Sequence, residues 1–189
     1  MSDFRFPLRV QKLRERMVLD NLDAIFISNT QNRRYVSGFE SSAGYLLLTQ
    51  YEAVICTDFR YTEQASLQAP GWRVDRIGGK PDWLASLVNE LKIKVLGFEA
   101  DDLTVETLDH FRTSLKKNNA NPILKPTSSI CVELRSYKDN LELPLLQHAI
   151  DIGDQAFEET TAQLEVGMSE KEAAWIFEKA VRERGAETI

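Results

Sequence analysis

Apolar positions along the chain alternate between two rhythms as far as Lys125-Pro126 and then settle into one. Val10, Leu13 and Met17 fall at helical spacing behind Pro7, which a first helical turn accepts because the missing N–H has no partner there. Ala24-Ile25-Phe26-Ile27 is a short apolar run that predicts a buried strand, and a polar stretch from Asn29 to Tyr35 leads to Gly38, suited to cap a short helix. The runs 45–49 and 53–57, separated by Gln50-Tyr51-Glu52, predict a hairpin. Residues 61–67 read as a helix closed by the turn Ala69-Pro70-Gly71, and residues 72–77 alternate as a strand does before Gly78-Gly79. Leu84, Leu87, Val88 and Leu91 predict the next helix, residues 94–98 a strand, Leu108, Phe111 and Leu115 another helix, and residues 122–124 a last short strand.

This alternation, with one antiparallel hairpin in its middle, predicts an α/β domain of layers around a mixed sheet. From Asn140 onward no strand is predicted. A long helix runs to about Leu164 with Leu145, Ala149, Ile152 and Ala156 on one face, and it tolerates Pro144 in its first turn. Ser169-Glu170-Lys171-Glu172 is a capping box that opens a second helix, whose apolar face is Ala173, Phe177, Ala180 and Val181 and whose C-terminal cap is Gly185. Two such helices need a surface to pack on: the first domain, another chain, or a sheet that has been removed.

Composition narrows the class. In 189 residues, 43% apolar and 28% charged content is that of a folded globular protein. A net charge of −6 disfavours nucleic acid as a partner, because no basic surplus is left to neutralise phosphates. The local run Arg5, Arg9, Lys12, Arg14 and Arg16 is read as the solvated face of the first helix. Cys56 and Cys131 are the two cysteines, which make neither a metal knuckle nor a disulfide framework and suit a reducing compartment. Met1-Ser2-Asp3-Phe4-Arg5 lacks the apolar run of a secretory leader, and no stretch reaches the ~18 apolar residues of a spanning segment. A cytoplasmic protein that does not enter the membrane is expected.

Candidate chemistry is sparse. His110 and His148 are the only histidines, and His148 with Asp151 and Asp154 reads as a solvated helix face rather than a metal cluster. Glu99, Asp101 and Asp102 sit between a strand and a helix, where helix N-termini attract acidic side chains. Gly78-Gly79-Lys80 lacks the spacing of a phosphate loop, Ser41-Ser42-Ala43-Gly44 reads as a tight loop, and Cys56 reads as core. Asp58-Phe59-Arg60-Tyr61 stands out because it lies where a strand gives way to a helix, the usual place for exposed functional groups in α/β folds. Asp58 is expected to be an N-cap, and Arg60 either a carboxylate fork or an ion-pair partner of Asp58 or Glu63.

Five segments, in this order, resemble one family. They are Asn32-Arg33-Arg34-Tyr35-Val36-Ser37-Gly38-Phe39, Thr57-Asp58-Phe59-Arg60-Tyr61, Leu134-Arg135-Ser136-Tyr137-Lys138, Gly167-Met168-Ser169-Glu170 and Arg184-Gly185-Ala186. They are similar to segments of the Xaa-Pro peptidases: aminopeptidase P, prolidase and the related creatinase. Val36-Ser37 stands where the family pattern has Leu-Thr, a conservative departure. The resemblance implies a ribonuclease-H-like, three-layer amino-terminal domain over residues 1–132. Residues 133–189 would then be a linker and the first two helices of an incomplete pita-bread catalytic domain.

The full enzyme implied would cleave the bond before proline with two divalent metals, manganese or cobalt, held by ligands beyond the "R-G-A" segment. No cofactor is therefore expected in this chain, which alone is predicted inactive. The resemblance further implies a homo-oligomer whose amino-terminal domain closes over a neighbouring active site. Arg60 would reach a proline-peptide carboxylate across that interface, with Tyr61 and Tyr35 as further substrate contacts. A stand-alone protein-interaction module and a creatinase-type amidinohydrolase fragment are the other two classes compatible with the sequence.

Overall fold

The structure is a computed structural model that describes residues 5–187, so the leader reading at Met1-Ser2-Asp3-Phe4 and the terminal Thr188-Ile189 lie outside the described residues. The chain divides into two compact units, Met1–Tyr137 and Lys138–Ile189.

In the first unit the strands are β1 (Ala24–Ile27), β2 (Tyr45–Thr49), β3 (Ala53–Thr57), β4 (Arg73–Arg76), β5 (Val95–Glu99) and β6 (Ile123–Thr127). The helices are α1 (Arg5–Leu19), α2 (Thr30–Ser37), α3 (Thr62–Gln68), α4 (Asp82–Glu90), α5 (Val105–Lys117) and α6 (Ile130–Ser136). The strands form one sheet in the order β4-β3-β2-β1-β5-β6. Only β2 runs against the others: β1–β2 and β2–β3 are antiparallel, and β3–β4, β1–β5 and β5–β6 are parallel. The mixed α/β fold expected from the alternation of elements is the fold found.

Side chains alternate across this sheet and build two cores. Ile25, Ile27, Leu46, Leu48 and Ile55 meet Leu13 and Met17 of α1, Val36 of α2, Ala65 of α3, and Ile130 and Cys131 of α6. On the other face Phe26, Leu47, Val54, Leu96 and Phe98 meet α4 and α5 through Leu84, Leu87, Phe111 and Leu115. Phe26, Tyr45, Trp83 and Phe111 form an aromatic cluster there, with Phe26 stacked on Tyr45 at 4.9 Å. Burying both faces explains why the central strands read as apolar runs without polar alternation.

Three expectations change. The last strand does not stop at Leu124 but runs through Pro126 to Thr127, with Pro126 opposite Phe98; it lies at the sheet edge, where a residue without an N–H is tolerated. The helix α6, hidden in the sequence as a linker, buries Ile130 and Cys131 and belongs to the first compact unit, Met1–Tyr137. The basic face of α1 is not uniformly solvated: Arg9 is buried, and its guanidinium lies 4.2 Å from the Tyr35 ring centroid while donating to the Tyr35 carbonyl. An aromatic face and a carbonyl replace the water that such a group would otherwise need.

The second unit is α7 (Glu142–Ala162) and α8 (Glu170–Glu183). Its small core is Ala156, Ala180 and Val181, flanked by Ile152, Phe177 and Ala186. The capping box at Ser169 and Glu172 is formed. The predicted apolar face of α7 is buried only toward its C-terminal end, and Leu145 and Ala149 are exposed together with Leu143, Leu146 and Ile150.

Gly97 in β5 marks the tightest approach in the sheet: a Cβ there would stand 2.8 Å from Leu22 Cδ1 and 3.2 Å from Thr127 Cγ2. Gly97→Ala is expected to destabilise the chain by about 1–3 kcal/mol in urea unfolding. Gly79→Ala, whose Cβ would meet nothing within 4 Å, should stay within about 0.5 kcal/mol of the parent.

Candidate functional site

A cleft of about 940 Å³ opens along one edge of the sheet. Ser28 follows β1, Asp58 follows β3, Ile77 to Gly79 follow β4 and Asp102 follows β5, so the walls are the loops leaving the C-terminal ends of parallel strands. Ligands bind preferentially at such edges of open α/β sheets. The reversed direction of β2 brings its first residue, Tyr45, to the same edge.

Asp58, Phe59 and Arg60 of the Asp58-Phe59-Arg60-Tyr61 run form one wall. Asp58 was expected to cap the following helix, but that helix starts later, with Tyr61 at the N-cap position and no side-chain cap. Asp58 instead closes a turn. Its Oδ1 accepts from the Arg60 backbone N–H at 2.9 Å, and its carboxylate grips the Arg60 guanidinium in a fork at 3.0 and 2.7 Å. Those bonds hold the Asp58 carboxyl below the usual carboxylate range, chiefly through the Arg60 side chain. Of the two partners foreseen for Arg60, Asp58 is the one it takes, while the guanidinium also lies 5.2 Å from the Tyr61 ring centroid. The Tyr61 hydroxyl shares a 2.7 Å hydrogen bond with Ser42, which lines the cleft.

Of the three residues, only Arg60 lines the cleft; Tyr61 lies behind it, packed against the α1–α6 core and tied to the cleft through Ser42, and Tyr35 packs against that same core without reaching the cleft. The Tyr35 side chain packs on the α1–α6 side of the sheet, and its hydroxyl donates to the Leu134 carbonyl at 3.2 Å.

Glu99 is the residue whose role the sequence conceals. The acidic trio was read as charge at a helix N-terminus, yet α5 is capped by Thr104, whose hydroxyl accepts from the Thr107 N–H. Glu99 is buried, and its carboxylate accepts from the backbone N–H groups of Ser28 (2.8 Å) and Asn29 (2.7 Å) and from Asn32 Nδ2 (2.6 Å). Asn32 in turn accepts from Arg135 at 3.0 Å. Asp102 accepts from the Ser28 hydroxyl and from Asn29 Nδ2, so two acids fix the loop between β1 and α2. Burial pushes the Glu99 carboxyl up, and the bonds from Asn29, Asn32 and Ser28 pull it down without cancelling the effect. One signal was available: Glu99 directly continues a buried strand, a position that a helix-capping acid does not occupy.

Arg33 is the second concealed residue. It is 2% exposed and lines the cleft. Nη1 donates to the Ser41 hydroxyl, and Nη2 to Thr30 Oγ1 and the Ser41 carbonyl. Desolvation lowers its pKa, opposed in part by Tyr45, Asp102 and Glu99. Nothing in its polar segment distinguishes it from the exposed Arg34.

Burial pushes the thiols of Cys56 and Cys131 far up, so neither is poised as a nucleophile. His110 and His148 are exposed. Among the described residues no group of three or more His, Cys, Asp or Glu is arranged to hold a metal ion.

The family model for the Creatinase/Prolidase N-terminal domain matches residues 9–137. The uncharacterized peptidase YqhT of Bacillus subtilis (strain 168) is 31% identical over 182 residues, which cover 96% of this chain and 50% of that protein. The solved Xaa-Pro dipeptidase from Bacillus anthracis superposes with a TM-score of 0.89 at 33% identity, covering 96% of this chain and 50% of that one. The solved N-terminal domain of the cytoplasmic peptidase PepQ from Mycobacterium tuberculosis H37Rv is 36% identical, with a TM-score of 0.63, and is covered over 98% of its length by 67% of this chain. The chain thus spans half the length of its Bacillus relatives.

Because the folded-state pKa of Glu99 is raised, the native state holds its proton more tightly than the unfolded chain does. Its contribution to stability is therefore fullest below the ordinary glutamate pKa of about 4.3 and declines as pH rises through the raised value. Glu99→Gln should remove that slope from unfolding free energies measured between about pH 4 and 7. At neutral pH it should also cost about 1–3 kcal/mol, because an amide can no longer accept from both the loop N–H groups and Asn32.

Proposed function

The chain belongs to the creatinase/prolidase N-terminal-domain family, and on that premise we propose that it is the amino-terminal, non-catalytic region of a cytoplasmic Xaa-Pro metallopeptidase. The observation that carries this reading is the likeness to the Bacillus anthracis Xaa-Pro dipeptidase across both units of the chain but only half of the enzyme. The chemistry, with its two divalent metals (manganese or cobalt), belongs to the other half of such a protein. This chain contributes the wall over a neighbouring active site. Arg60 presents its guanidinium to the carboxylate of a proline-containing peptide, and Tyr61 keeps the loop in place through Ser42. No helix among the described residues is long and apolar enough to cross a membrane.

Assayed alone with manganese or cobalt, the 189-residue chain is expected to give no turnover of an Xaa-Pro dipeptide. Residues 1–137, exchanged into the Bacillus anthracis dipeptidase in place of its own amino-terminal domain, are expected to support activity. Arg60→Ala in that chimera should raise KM about tenfold, with kcat changed less, as the loss of a charge-assisted contact to substrate predicts. Turnover by the isolated chain, or a KM indifferent to Arg60→Ala, would overturn the assignment.

Self-association belongs to the same reading. Leu143, Leu145, Leu146 and Ile150 leave an apolar stripe exposed on α7, and contiguous surface of that kind seeks cover. Sedimentation velocity at rising concentration should show a species of at least dimer mass, which Leu146→Lys should weaken; a clean monomer throughout would speak against it.

A further inference from the structure

We infer that the cleft at the C-terminal edge of the sheet binds a small carboxylate bearing an apolar group, with Arg33 and Arg76 as its charged partners. Of the three arginines lining the cleft, Arg60 is already neutralised by Asp58. Arg33 is different. It is a buried guanidinium whose three hydrogen bonds all go to uncharged oxygens, whose Nε has no acceptor, and which has no carboxylate within ion-pair distance among the described residues. A buried charge is normally paired, and an unsatisfied buried donor calls for a missing partner. Arg76, at the end of β4, has no ion-pair partner among the described residues either and lies 5.7 Å from the Phe59 ring centroid.

The lining selects the class of anion. Asp102 offsets part of the positive charge but is itself committed to Ser28 and Asn29. With two arginines outside any ion pair facing one aspartate, a net positive charge of about one remains, and the cleft suits a single negative charge better than a phosphate dianion. Tyr45, Phe59, Ile77 and Leu103 give the remaining wall its apolar character. Planar guanidinium groups match a carboxylate, and aromatic and aliphatic side chains match a hydrocarbon portion. The packing also favours this placement of Arg33: a Cβ at Gly44 would stand 3.2 Å from Arg33 Nη1, so a glycine there lets the guanidinium approach the start of β2. This inference rests on residues of the first unit alone and holds whether or not the peptidase reading does.

The test is calorimetric titration of the full chain at low salt with N-acetyl-phenylalanine, its uncharged amide, and inorganic phosphate. The acid is expected to bind at least about tenfold more tightly than either of the others. Arg76→Gln and Arg33→Gln should each weaken it about tenfold or more, while Arg112→Gln, on α5 and paired with Asp109, should leave it unchanged. Should Arg33→Gln fail to fold, Arg76→Gln decides. Equal binding of acid and amide, no heat with the acid up to about 10 mM, or an Arg76→Gln protein that binds normally would overturn the proposal. Phosphate binding as tight as the acid would overturn the carboxylate assignment.

Discussion

One buried carboxylate organises the C-terminal edge of the sheet in the first unit. Glu99 ends β5, and its oxygens meet the first two backbone N–H groups beyond β1 and the amide of Asn32 on α2. The parallel pairing of β1 with β5 brings these groups within reach, since Phe26 lies opposite Phe98. Without an acceptor there, a turn leaving a buried strand would strand its N–H groups away from water, a cost larger than the gain from any one hydrogen bond. The start of α2 is therefore fixed by an acid that is 70 residues away in sequence from Asn29. Through Asn32, the same network reaches Arg135 near the end of the unit.

That network also explains which parts of the molecule were legible in the sequence. Elements whose evidence is local were read correctly: the wholly apolar β1, the hairpin of β2 and β3, Gly38 at φ 79° closing α2, and the capping box before α8. What escaped depends on partners distant in the chain. Glu99 looks like any acid before a helix until β1 is laid beside β5, and Arg33 looks like its neighbour Arg34 until α2 is set against residues 41–45. The helix α6 was hidden for a similar reason, because Ile130 and Cys131 are too few to show a period and declare themselves only by burial. Asp58 illustrates the opposite error: a residue with a strong local propensity was given to the nearest helix, whereas it closes the turn before it.

The motif segments acquire a physical sense in the same frame. Asn32 belongs to the first segment and Arg135 to the third, and the two are hydrogen-bonded; Tyr35 and Leu134 make a second link between the same pair. Two stretches about a hundred positions apart therefore act as one joint, which packs α6 onto the domain immediately before the second unit begins. Tyr35 is accordingly an architectural residue in the first unit as it stands, and its place among substrate contacts would require an approach from outside the cleft.

Arg33 and Arg60 line the same cleft but stand in opposite electrostatic situations, and the difference bears on how each could serve a ligand. Arg60 is exposed and already holds Asp58 in a fork, so a ligand carboxylate must displace Asp58 or share the guanidinium with it. Exposed pairs of that kind contribute little, because water and salt screen them. Exchange of one carboxylate for another at Arg60 is then nearly neutral in energy. Arg33 is dry and preorganised by Thr30 and Ser41, so an anion reaching it gains attraction in a medium of low dielectric without reordering the side chain. The cleft thus presents its guanidinium groups in two ways: Arg60 exposed, paired and screened, and Arg33 dry and preorganised.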